Sequence, residues 1–132
     1  MTVRFFDRQY ESNPLNGRIL ERDSELLETL ESLRSRPPFF AELVGQNQYN
    51  LLIGLGGPNG SVQYSRTDGV PPYLMAVGPN GGPSGEYLEF LIGNTPTPVP
   101  RRYVLPFDLV KEVAVHFART GERSPAVLWE EI

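Results

Sequence analysis

The stretch Val104–Ile132, VLPFDLVKEVAVHFARTGERSPAVLWEEI, decides the fold. Pro106 suits the first turn of a helix, because its missing N–H would have had no intrahelical partner there. Asp108 and Glu112 come early and Arg119 comes in the last turn, so both signs complement the helix dipole. Gly121 then supplies a stop that can adopt positive φ. At about 100° per residue, Phe107, Val110, Val113, Ala114 and Phe117 fall on one apolar arc, with Asp108, Lys111, Glu112 and Arg119 opposite. After a polar turn through Ser124 and Pro125, Ala126–Trp129 reads as a short strand. Such a helix buries one face, and the strands upstream are its partner.

Upstream, Thr2–Phe6 alternates as an opening strand, and Asp7–Arg22 reads as a loop with turn signals at Asn13-Pro14 and Asn16-Gly17. Asp23 is expected to cap a second helix running from Ser24 to about Ser35. Leu26, Leu27, Leu30 and Leu33 form its apolar stripe, Glu25, Glu28 and Glu31 face outward, and Pro37-Pro38 ends it. From Phe39 the texture is β: strands are expected at Phe40–Val44, Tyr49–Leu55, Ser61–Arg66, Pro72–Val77 and Glu86–Ile92, joined by short turns. The turn tetrapeptide Gly-Pro-Asn-Gly occurs at 57–60 and again at 78–81. Thr95–Pro100 (TPTPVP) reads as an extended connector, since proline fixes φ and restrains its predecessor. The expectation is one α+β domain over residues 1–132. It has an antiparallel meander of about five or six strands, with two helices on one face.

Composition narrows the function classes. With 132 residues, 39% hydrophobic and 21% charged, the chain has the balance of an ordinary globular domain. No 18-residue apolar run predicts a membrane span, and the N-terminus is too short and polar for a signal peptide, so a cytoplasmic monomer or small homo-oligomer is expected. The absence of cysteine excludes disulfides, thiolate metal sites and a cysteine nucleophile. A net charge of −4 argues against nucleic acid as a partner and is compatible with steering toward a basic protein.

Chemical motifs are sparse. Gly54–Gly60 (GLGGPNG) superficially resembles GxGxxG, with one extra residue before its last glycine, but a phosphate loop must open a helix, and a strand follows here. His116, the only histidine, sits on the helix margin without a metal-ligand companion, and no serine lies in a nucleophile elbow. Glu86 and Glu89, three apart, do not share a strand face. Neither a catalytic constellation nor a cofactor motif emerges, so surface recognition is the expected mode of action. Tyr49, Tyr64, Arg66, Tyr73, Tyr87 and Trp129 include residue types enriched at interface hot spots.

The ordered set GQNQYNLLIGLGG (45–57), VQYSRTDG (62–69), YLMAVG (73–78), EYLEFLIG (86–93), VPRRYVLPFDLVKEVAVHFARTGERSP (99–125) and AVLWEE (126–131) resembles immunity protein family one of bacterial polymorphic toxin systems. The resemblance spans Phe40 to Ile132. It implies a cytoplasmic protein that binds a cognate toxin domain without covalent chemistry and blocks it. Toxins resembling nucleic-acid deaminases are often encoded beside such proteins. The chain lacks the HxE and PCxxC elements of deaminases themselves, so the resemblance makes it the inhibitor. The family supplies no fixed contact motif. By residue type, the candidate contacts are Tyr64, Arg66, Asp68, Tyr73, Glu86 and Glu89. A regulatory binding module unrelated to toxins is the alternative that composition leaves open.

Overall fold

A computed structural model describes residues 2–79 and 86–132. The strands are β1 (Val3–Asp7), β2 (Ile19–Leu20), β3 (Phe39–Val44), β4 (Tyr49–Gly56), β5 (Asn59–Arg66), β6 (Leu74–Val77), β7 (Tyr87–Ile92), β8 (Thr95–Pro100), β9 (Leu105–Pro106) and β10 (Leu128–Glu131). The helices are α1 (Asp23–Leu33) and α2 (Phe107–Thr120). The class is α+β as expected, with ten strands among the described residues rather than five or six. The sheet runs β10-β6-β5-β4-β3-β1-β2, antiparallel throughout.

The α2 pattern folds as its spacing dictates. Phe107, Val110, Val113, Ala114 and Phe117 are all buried, and Gly121 closes the helix at φ 74°. Asn47 Nδ2 and the Tyr64 hydroxyl both donate to the Gly121 carbonyl, at 2.8 and 3.2 Å, satisfying an acceptor at the helix end. In α1, Leu26, Leu30 and Leu33 are buried. Both helices share one core with Val3, Phe5, Leu43, Leu51, Ile53, Val62 and Tyr64, so they cover the same sheet face. Asp23 does not cap α1: Arg22 occupies that position with no side-chain bond, and the Asp23 carboxylate instead pairs with Arg119 of α2. The ion pair ties the two helices together.

Two expectations about strand order are corrected. β7 does not continue the meander beside β6, because β6 has β10 as its other neighbour. β7 meets β3 through a single parallel bridge, Phe39 to Leu91, and otherwise pairs with β8. Nor is Thr95–Pro100 an unpaired connector. It is a full partner of β7, in register from Ile92–Thr95 to Tyr87–Pro100. Gly93 and Asn94 make the turn with φ of 52° and 65°, the backbone that a two-residue hairpin loop of this hand requires. This hairpin folds over the sheet face away from the helices. There Phe90 and Val99 form a second core with Phe40 and Met75, the Phe40 and Phe90 rings lying 5.4 Å apart. The second Gly-Pro-Asn-Gly turn lies partly outside the described residues.

The glycines of the Gly54–Gly60 segment have a packing role. A Cβ at Gly54 would sit 2.9 Å from the Phe90 ring, and one at Gly60 would sit 2.4 Å from the Gly54 carbonyl oxygen and 2.9 Å from Val110 of α2. Hairpin and helix therefore approach the β4–β5 ladder from opposite faces, through positions only glycine can occupy. Gly60→Ala is expected to cost about 1–3 kcal/mol by overpacking. Urea unfolding checks this as a lowered midpoint with an unchanged slope.

Candidate protein-interaction surface

The expected contact residues separate into three settings. Tyr64 is 6% exposed. Its ring stacks on Tyr49 at 4.7 Å and meets Phe117 and Trp129 edge-on, and burial and the nearby Glu122 charge push its hydroxyl up to about 12. It is a core residue, and its place among surface contacts is corrected accordingly. Strand periodicity explains the placement, because Tyr64 shares a face with Val62.

Arg66, Asp68 and Tyr73 come together in the β5–β6 connection. Arg66 and Asp68 form an ion pair at 2.6 Å, Asp68 also accepts the Val70 backbone N–H at 3.0 Å, and the Tyr73 hydroxyl donates to the Gly69 carbonyl. The Val70 N–H and then Arg66 hold the Asp68 carboxyl below its usual range. The cluster is self-satisfied, with Val70 exposed beside it.

Glu86 and Glu89 lie on the hairpin, at the other end of the β4–β5 ladder. Glu86 pairs with Arg101 at 3.0 Å. Glu89 is exposed and meets no cation at ion-pair distance among the described residues. Of the three acidic candidates, it alone presents an uncompensated charge. Next to it Tyr87 is 57% exposed and Leu88 38% exposed. Glu86, Tyr87, Leu88 and Arg101 line a cleft of about 440 Å³ with Asn59 and Pro106.

The face opposite the helices also carries a half-buried polar string. Glu42 accepts from Arg8 and from Asn50 Nδ2, and Ser65 Oγ donates to Asn50 Oδ1 at 3.2 Å. At its margin, Glu130 is bound by Arg102 and by the Tyr103 hydroxyl at 2.9 Å, and these bonds pull its carboxyl down to about 2. His116 lines a separate groove with Lys111, Glu112, Arg119 and Ser124. Ser124 Oγ accepts the Ala126 backbone N–H, and no hydrogen bond joins it to His116 among the described residues. Nor do the described residues group three or more His, Asp or Glu side chains that could hold a metal.

What the described residues expose is therefore ion pairs, tyrosines and unpaired carboxylates on a sheet. The family model for immunity protein Imm1 matches residues 18–131. The chain belongs to the Imm1 immunity protein family. The match begins before α1, so that helix lies within the family pattern as well as the Phe40–Ile132 stretch. No curated protein matches the chain in sequence. Membership in Imm1 implies a toxin-neutralising role with a cognate toxin as partner, in a family that is generally non-catalytic. Among the described residues no helix is long and apolar enough to cross a membrane.

Proposed function

We propose that this Imm1 protein acts in the cytoplasm, binding the toxin domain with which it is paired, a nucleic-acid deaminase, and blocking that domain's active site without covalent chemistry. Residues outside the core carry the contact: Arg66, Asp68 and Tyr73 in the β5–β6 connection, and Glu86 and Glu89 on the β7–β8 hairpin.

The observation that carries this reading is the distribution of charge. Ten of the twelve cations, all but Arg4 and Arg123, are engaged in ion pairs. Seven carboxylates, Glu11, Glu21, Glu28, Glu89, Glu112, Glu122 and Glu131, have no such partner among the described residues, in a chain of net charge −4. An enzyme that handles a phosphate backbone presents positive potential around its active site. An acidic inhibitor occupies that field in place of the substrate and gains association rate from it.

Two results test this. Adding the protein at equal stoichiometry to the toxin domain encoded beside it should abolish base deamination of single-stranded nucleic acid. Undiminished deamination within a formed complex would exclude active-site blocking, and a toxin with different chemistry would exclude the deaminase assignment. Glu86→Lys with Glu89→Lys should slow association at low salt by about tenfold while the fold is retained. An unchanged association rate would remove both residues from the interface.

A further inference from the structure

The β7–β8 hairpin has one face turned away from the sheet, and its composition is unusual. Phe90, Val99 and Ile92 point inward to the second core. Because side chains alternate, Tyr87 and Glu89 of β7, with their partners Pro100 and Pro98 of β8, stand on the outer face, and Pro96 continues it up to Leu91, which shares this face but packs against the main core. Tyr87, Glu89 and the three prolines are exposed.

The backbone of β8 is equally one-sided. The turn at Gly93-Asn94 makes Ile92 and Thr95 the closing pair, so the residues of β8 facing β7 are Thr95, Thr97 and Val99. Pro96 and Pro98 direct their backbone away from β7. Having no N–H, they leave an outer edge with carbonyl acceptors and no donors. An added strand needs donors and acceptors in alternation, so this edge repels strand addition. A guanidinium needs the opposite, since it carries several N–H donors and no acceptor. The uncompensated Glu89 carboxylate stands beside that edge, and the exposed Tyr87 ring offers a face on which a guanidinium can stack. Stacking of this kind already occurs within the chain, where Arg36 lies 3.8 Å over Phe39 and Arg34 lies 4.3 Å over Phe107.

The face is held rigidly. Gln9 Nε2 donates to Asn94 Oδ1 at 2.7 Å, the Asn94 N–H donates back to Gln9 Oε1 at 2.8 Å, and the Gly93 N–H donates to the Arg8 carbonyl at 2.9 Å. Rigid prolines and a bolted tip leave little ordering cost on binding.

We infer that the outer face of the β7–β8 hairpin, centred on Tyr87, Glu89 and the Pro96–Pro98 carbonyl edge, is the docking surface for an arginine-bearing segment of the cognate toxin. This rests on the immunity reading above. The test compares Tyr87→Ala with Glu89→Arg as a double variant against Glu28→Arg and Glu112→Arg, which reverse unpaired carboxylates on α1 and α2. The probe is the toxin domain encoded beside this chain, bearing an inactivating substitution, with affinity read by calorimetry and protection by growth alongside the active toxin. The hairpin variant should lose at least about tenfold in affinity and lose protection, with the helix variants unchanged and Glu89→Gln intermediate. All the substituted side chains are exposed, and a melting curve for each variant confirms the fold. Wild-type affinity in the hairpin variant, or an equal loss in the helix variants, overturns the docking surface and leaves immunity standing. Failure of the unmodified protein to bind or protect overturns both.

Discussion

Replacing Asp7 by alanine is expected to destabilise the fold by about 3–5 kcal/mol, because it strands a charged partner and several donors in the interior. The Asp7 side chain is fully buried and accepts from Arg36 at 2.7 Å, Asn13 Nδ2 at 2.9 Å, Gln9 N at 2.8 Å and Tyr10 N at 2.9 Å. Arg36 in turn lies over Phe39 and Tyr10, so one carboxylate gathers the N-terminal loop, the end of α1 and the start of β3. Burial by itself would raise the Asp7 carboxyl, but the four hydrogen bonds outweigh it and hold the group below its usual value near 3.8. A depressed folded-state value means a contribution fully present above the unfolded value and lost as pH falls through the folded one. Glu130, drawn down to about 2, acts in the same direction. The wild-type chain should therefore lose stability below about pH 4, and Asp7→Ala should flatten that acid limb as well as lower the plateau. Denaturant melts across pH measure both. An unaltered acid limb would mean that Asp7 does not hold its partners in solution.

Phe117→Ala should cost about 3–5 kcal/mol, the range for emptying an aromatic site that cannot collapse. Phe117 is 0% exposed and meets Tyr64 edge-on at 6.0 Å, and its ring tip lies 3.0 Å from where a Cβ on Gly45 would stand. The cavity would open beneath α2 between two elements fixed by the Gly121 carbonyl bonds, which limits relaxation. Chemical denaturation gives the value directly. A change within about 0.5 kcal/mol would contradict packing of α2 on the sheet through this ring.

How much of this was legible in the sequence depends on the range of the interaction. The α2 arc, its glycine stop and the four-strand run β3–β6 follow from local periodicity and turn chemistry. The β7–β8 hairpin was half legible. TPTPVP is extended because proline forces it to be, but the pairing depends on Gly93-Asn94, a two-residue turn signal that stands directly before it. The position of β7 against β3 was not legible, because sheet order beyond a meander is set by which distant surfaces bury Phe40 and Phe90 together. Asp23 satisfies the composition of a cap, yet Arg119, 96 residues away, claims its carboxylate. Tyr64 was misplaced by residue type, although alternation with Val62 assigns it to the core. Glu89, unlike Glu86 and Asp68, meets no cation at ion-pair distance among the described residues, and only tertiary structure shows that.

The most direct test of the account is growth of cells that express the toxin domain encoded beside this chain, with and without the chain, paired with recovery of the complex from the same cells. The account predicts rescued growth and a stable complex. An active toxin that still kills, with no complex recovered, would contradict it.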